Sequence, residues 1–156
     1  MSASANAVAA LRAGVAASAA ASRYSDGELE LIYGLAYRSY QQGDFAQAAR
    51  YFSYLTLYRP TDERFLKGLG GSQFMGRLFS QALGSYAFLV LLDPQDAEAL
   101  CMHGYSLLML GERQQARAAL ARAAGLGGGL APFARKAAAL LLLTERQAEP
   151  GDAPPG

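Results

Sequence analysis

The chain has 156 residues, 52% of them apolar, with 14 basic and 13 acidic residues and a formal net charge of +1. At this length one domain is expected, burying about 70% of its unfolded surface, so most of the chain should fold. The charges are balanced and the basic residues never cluster beyond Arg135-Lys136, which argues against nucleic acid or an anionic membrane as the main partner.

Residues 1–22 are rich in alanine and serine. Val8, Leu11 and Val15 form a thin helical stripe at i, i+3, i+7. Only Arg12 is charged before residue 20 and no strongly apolar core follows, so a secretory signal peptide is not expected. So short and weakly apolar a segment is marginal as a helix by itself. Two readings stay open: a mobile segment, or an arm that orders against another surface.

A clearer helix begins after Ser25, which forms a capping-box pattern with Glu28, and runs to about Gln42 before Gly43. A second runs from about Asp44 to Tyr58, and Pro60 prevents its continuation. Thr61 is the expected cap of the next, with Asp62 and Glu63 at its positive end; it reaches about Met75 and stops at Gly76. A fourth spans about Leu78 to Leu92, before Pro94. Gly104, Gly111, Ala116 and Leu120 continue the pattern, with Gly128 where the proline would stand. Gly125 to Gly129 reads as a flexible break. Pro132 then opens a last helix to about Arg146, whose run Leu140–Leu143 is expected to pack over the preceding helices as a cap. The tail from Glu149, with Pro150, Pro154 and Pro155, is expected to be disordered. No segment reads as a strand. The run Ala137–Leu143 is far short of the roughly 20 residues of a membrane span, so a soluble cytoplasmic protein is expected. The lone Cys101 excludes an intrachain disulfide and suits a reducing compartment.

The helices repeat. Leu35, Ala36, Phe45, Ala48, Phe52 and Pro60 recur 34 positions later as Leu69, Gly70, Phe79, Ala82, Tyr86 and Pro94. Small, small, aromatic and proline at this period is the tetratricopeptide signature. The expected fold is all-α: a tetratricopeptide superhelix of three helix-turn-helix repeats with an N-terminal arm or helix and a C-terminal capping helix. The expected boundaries are an arm at 1–24, a repeat domain at 25–147 (repeats at about 29–62, 63–96 and 97–130, capping helix 132–146) and a tail at 148–156. Small residues at Ala36, Gly70 and Gly104 let paired helices approach, and Phe52, Tyr86 and Leu120 fill the space between repeats. Such repeats stack into a curved array with a concave groove.

Nothing in the pattern supports catalysis. Cys101 and His103, two apart on a helix, point to nearly opposite sides and cannot form a nucleophile–base pair. Both read as packing residues. Gly71–Arg77, GSQFMGR, has Arg and Leu78 where a phosphate-binding loop needs Lys and a Ser or Thr, and no strand precedes it. One His and one Cys make no metal set. Asp93, Asp96 and Glu98 read as turn and capping residues. No enzyme activity and no cofactor or metal are expected.

Tyr33, Tyr37 and Tyr40 are different: at i, i+4, i+7 they share one face, while Ile32, Leu35, Ala36 and Ser39 occupy the core face. In such repeats the first helix of each pair lines the groove. The equivalent positions are Lys67, Gly71 and Phe74, then Cys101, Tyr105 and Leu108, with Met75 and Met109 alongside. A surface of tyrosine, phenylalanine and methionine with room at Gly71 suits an extended apolar peptide. Packing against the N-terminal arm, or in a dimer, is the other reading.

The run Leu31-Ile-Tyr-Gly-Leu-Ala-Tyr-Arg-Ser-Tyr-Gln-Gln-Gly43, then Ala48 to Phe52, then Asp62-Glu-Arg-Phe-Leu-Lys-Gly-Leu-Gly70, resembles the LcrH/SycD family over about residues 25–125. These are the class II chaperones of bacterial type III secretion, which hold hydrophobic translocator proteins before export. The resemblance implies cytoplasmic location, often a homodimer involving the N-terminal helix, and a short proline-containing client segment in the groove. It makes Tyr33, Tyr37 and Tyr40 pocket residues, with Phe74 and Tyr105 less directly matched. A chaperone of needle subunits and a generic tetratricopeptide adaptor are the alternatives. An adaptor that clamps a terminal carboxylate needs Lys and Asn where Tyr33 and Tyr37 stand.

Overall fold

The computed structural model describes residues 3–18, 21, 23–129 and 131–146. The proline-containing tail expected to be disordered lies outside them. The described residues form eight α-helices: α1 Ala3–Ala16, α2 Asp26–Gln41, α3 Phe45–Tyr58, α4 Glu63–Met75, α5 Phe79–Leu92, α6 Ala97–Met109, α7 Arg113–Gly125 and α8 Pro132–Arg146, with a short turn at Leu126–Gly129. The chain divides into two compact units, Met1–Pro94 and Gln95–Gly156. Repeat arrays are held by neighbour contacts, so a division between repeats is natural.

In the first unit, α2 pairs with α3 and α4 with α5, and α3 also packs on α4. Each start has a local cause. Ser25 Oγ accepts from Glu28 N (3.2 Å) and Glu28 Oε2 accepts from Ser25 N (2.8 Å), the reciprocal capping box. The Ser25 amide, and after it the Ser25 hydroxyl at 2.8 Å, donate to the Glu28 carboxylate and hold its pKa below the usual value. Asp44 caps α3 by accepting from Gln47 N at 3.0 Å. The cap of α4 is Asp62, which accepts from Arg64 N at 3.0 Å, not Thr61. The helix begins one residue later than the Thr61 reading requires, and a carboxylate meets its positive end more favourably than a hydroxyl.

The core of this unit is Leu29, Ala36, Ala48, Phe52, Leu55, Tyr58 and Phe65, with Tyr33 and Tyr40 packed against it. Leu35, expected in the core, is 44% exposed. The core ridge of α2 runs through Leu29, Ile32, Ala36 and Tyr40, and the i, i+4 pair Leu31 and Leu35 lies on the flank of that ridge. The N-terminal segment is helical, and the Arg12 guanidinium donates to Glu63 Oε1 at 2.7 Å, tying α1 to the start of α4. Its stripe is thinly covered: Val8 and Val15 are half-buried and Leu11 is exposed. Arg59 donates to Ala21 O (2.6 Å), Tyr24 O (3.3 Å) and Asp26 Oδ1 (2.9 Å), fixing the chain that leads into α2.

The turn between paired helices shows the period in its backbone. Gly43 and Gly111 take φ of 78° and 83°, and at the matching place of repeat two Arg77 takes φ 63°. A side chain in this left-handed region costs about 1 kcal/mol relative to glycine. Arg77→Gly is therefore expected to raise stability by up to about 1 kcal/mol in urea denaturation. A loss would mean that the Arg77 side chain stabilises the turn by more than the strain costs.

In the second unit α6 pairs with α7, and α8 packs on both. Gly104 lets Leu120 approach: a Cβ there would lie 2.7 Å from Leu120 Cγ. The glycine run is an ordered turn in which Gly127, Gly128 and Gly129 all have positive φ (58°, 66° and 76°), a succession that L side chains rarely adopt. The buried face of α8 is Ala134, Ala137 and Thr144, with Leu140 and Leu141 half-buried. The expected cap, Leu140–Leu143, does not pack as a block: Leu142 and Leu143 are 59% and 55% exposed. Four consecutive residues span more than one helical turn and cannot share a face.

Candidate functional site

The tyrosine stripe is split by its surroundings. Tyr33 is half-buried, edge-on to Phe52 (ring centroids 5.9 Å apart) and tilted against Phe65 (5.7 Å). Tyr40 is half-buried, edge-on to Phe45 at 5.3 Å. Tyr37 is 51% exposed and stacks on Tyr33 at 6.3 Å. Two of the three rings therefore serve as core and surface together, and Tyr37 faces solvent on a floor made by Tyr33.

The space expected at Gly71 is used. A Cβ there would stand 3.7 Å from Tyr40 Cε2 and 3.7 Å from the Tyr86 hydroxyl. Tyr40 thus lies against α4, with room for little more than a methyl group. Lys67, Gly71 and Phe74 share one α4 face by their i, i+4, i+7 spacing, and all are half-buried. Phe74 lies edge-on to Phe79 at 5.2 Å, and Met75 beside it is exposed. The structure thus brings Tyr33, Tyr37, Tyr40 and Gly71 together in the first unit, with Lys67, Phe74 and Met75 on the same helix as Gly71. Tyr105 and Leu108 belong to the second unit, half-buried on α6.

Arg64 was not expected at this surface. Its guanidinium carbon lies 5.4 Å from the Tyr33 ring centroid and 5.2 Å from that of Phe65. Its Nη2 donates to Glu30 Oε1 (2.8 Å) and Asp62 Oδ2 (3.1 Å), so two carboxylates hold it over the rings. Bonding to Glu30, then to Asp62, raises its pKa further and keeps it charged. Glu30 and Arg64 stand one period apart on successive first helices. That spacing of opposite charges was the signal in the sequence.

Cys101 is buried, and burial pushes its thiol up to about 11; Lys136 pulls the other way. A thiol so placed is not a nucleophile at neutral pH. Among the described residues no group of His, Cys, Asp and Glu could hold a metal ion, and no helix is long and apolar enough to cross a membrane.

Paired helices at this period, with aromatic first-helix faces, define a tetratricopeptide-repeat protein. The tetratricopeptide repeat family model matches residues 29–62. Low calcium response locus protein H of Yersinia pestis is 32% identical over 97 residues, covering 62% of this chain; the match spans 57% of that relative's length. PcrH from Pseudomonas aeruginosa, solved with the chaperone binding region of PopD, superposes with a TM-score of 0.74 at 27% identity, over 81% of this chain and 98% of that one. The Yersinia enterocolitica type III secretion chaperone SycD, solved with a peptide of the translocator YopD, gives 0.73 at 26%, over 80% and 98%. By sequence and by fold the chain is thus similar to the class II type III secretion chaperones of the LcrH/SycD family.

Proposed function

We propose that this protein is a type III secretion chaperone of the bacterial cytoplasm that binds hydrophobic translocator proteins and masks them before export. An extended client segment lies on the first-helix faces of the first unit, against Tyr33, Tyr37, Tyr40, Lys67, Gly71, Phe74 and Met75; Tyr105 and Leu108 are the client-facing positions of α6 in the second unit. The observation that carries this is Tyr37, an aromatic ring kept in solvent on a fixed aromatic floor. Exposed apolar surface of this kind is costly unless a partner covers it. The solved SycD carries a peptide of the translocator YopD and the solved PcrH carries the chaperone binding region of PopD, which supports the client class. The protein acts by binding and performs no reaction. We further propose residues 1–24 as an arm, 25–147 as the repeat domain and 148–156 as a tail. The thinly covered stripe of α1 supports a homodimer through the arm.

The test is co-expression with candidate translocators, followed by fluorescence anisotropy on the segment that is retained. Tyr37→Ala should weaken binding about 30-fold, the loss of one aromatic anchor worth about 2 kcal/mol. Far-UV circular dichroism should be unchanged, since Tyr37 is half exposed and lies outside the buried core. Undiminished binding by Tyr37→Ala removes the groove assignment. Capture of an acidic C-terminal peptide, with no translocator made soluble, favours the adaptor reading.

A further inference from the structure

We propose that Lys136 selects the client: it presents a fixed ammonium beside Tyr105 and favours a client segment with a carboxylate at that point. The inference rests on the groove reading above and names a chemical feature of the client. Lys136 lies on α8, one period after Met102 of α6, as Arg64 lies one period after Glu30. Its Nζ stands 3.6 Å from Met102 Sδ, 5.4 Å from the Tyr105 ring centroid and 5.8 Å from that of Phe133.

These partners hold the cation without neutralising it. Ring faces attract an ammonium through their quadrupole, and a thioether is a weak acceptor. Among the described residues no carboxylate lies within ion-pair distance of Nζ. The contrast with Arg64 is informative. That guanidinium also lies over two rings, but Glu30 and Asp62 take its charge. Lys136 keeps its charge for a visitor, and its residue is exposed. Contact with two rings restricts the long side chain, so less freedom remains to be lost when an anion arrives. The neighbouring Tyr105 stands at the α6 position that matches Tyr37 and Gly71, on the face proposed to receive the client. The competing role is packing, in which the methylene stem simply covers Tyr105 and Phe133. Charge and stem can be separated, because methionine keeps the stem and removes the ammonium.

The experiment uses the full chain and two sets of short fluorescein-labelled peptides of leucine, valine and one proline. One set carries a single glutamate moved through every position, and the other carries glutamine at the same places. At one position glutamate should bind the natural chain about five-fold tighter than glutamine, the upper range for an exposed ion pair. Lys136→Met should remove that difference while leaving the glutamine peptides unchanged, and Lys136→Glu should reverse it. High salt should shrink it as well. If glutamate and glutamine bind alike at every position while Tyr37→Ala still weakens binding about 30-fold, the inference is overturned and the groove stands. If Tyr37→Ala leaves all peptides bound, the groove and the Lys136 inference fall together.

Discussion

Replacing Phe52 with alanine is expected to lower stability by about 4 kcal/mol, a large part of the roughly 5–15 kcal/mol that folds a domain of this kind. Phe52 is 2% exposed at the centre of the first unit's core. Its ring fills the space left open at Gly68, where an added Cβ would overlap it. Once the ring is gone, Gly68 has no side chain to lean into the gap, so collapse is limited and most of the cavity persists. The floor beneath Tyr33 goes with it, since the two rings meet edge-on. Client binding should therefore weaken in Phe52→Ala, although Phe52 is closed off from solvent. Urea denaturation followed by circular dichroism reads the stability. A loss below about 1.5 kcal/mol would mean that the site repacks and that the close contact at Gly68 is not what holds α3 to α4.

Two glycine-to-alanine changes are expected to act in opposite directions. On an isolated helix either change gains about 1 kcal/mol from helix propensity. At Gly84, on exposed α5 surface with open space around it, that gain should appear in full. At Gly68 the new methyl meets three atoms of the Phe52 ring, which is buried and has little room to move. Overpacking of this kind costs about 1–3 kcal/mol, and with this much overlap the net effect should be a loss of about 2 kcal/mol. The double change Gly68→Ala with Phe52→Leu should cost less than the sum of the two single changes, because the smaller side chain gives the methyl its space. Equal effects at Gly68 and Gly84 would show that helix propensity, not packing, governs both positions.

Much of the site could be read from the spacing of residues, and the exceptions have specific causes. The aromatic face of α2 and the small residue opposite it at Gly71 follow from the repeat register. What the register could not distinguish is Tyr33 and Tyr40 from Tyr37. All three lie on one face by spacing, but only contact with Phe52, Phe65 and Phe45 shows that two of them are shared with the core. Leu35 was misplaced because repeat positions were treated as equivalent, while burial depends on what stands beside each helix. The Leu140–Leu143 run was misplaced because composition suggested a block where helix geometry allows only a stripe. Arg64 and Lys136 were overlooked as lone charges. One partner of each, Glu30 and Met102, sits a full period away, where a window along one helix does not reach.

The sequence by itself determined the tetratricopeptide fold, the limits of α2 to α5 and of α8 to within a residue or two, and the face on which the tyrosines lie. These depend on local signals, namely caps, glycines, prolines and a 34-residue period, each acting within a turn or one repeat. Tertiary structure alone decided which tyrosine stays in solvent, which glycine has no room for a methyl group, and which rings lie beside Arg64 and Lys136. Those are properties of the space between helices. That space is set by the summed packing of residues far apart in the chain, so no single segment encodes it.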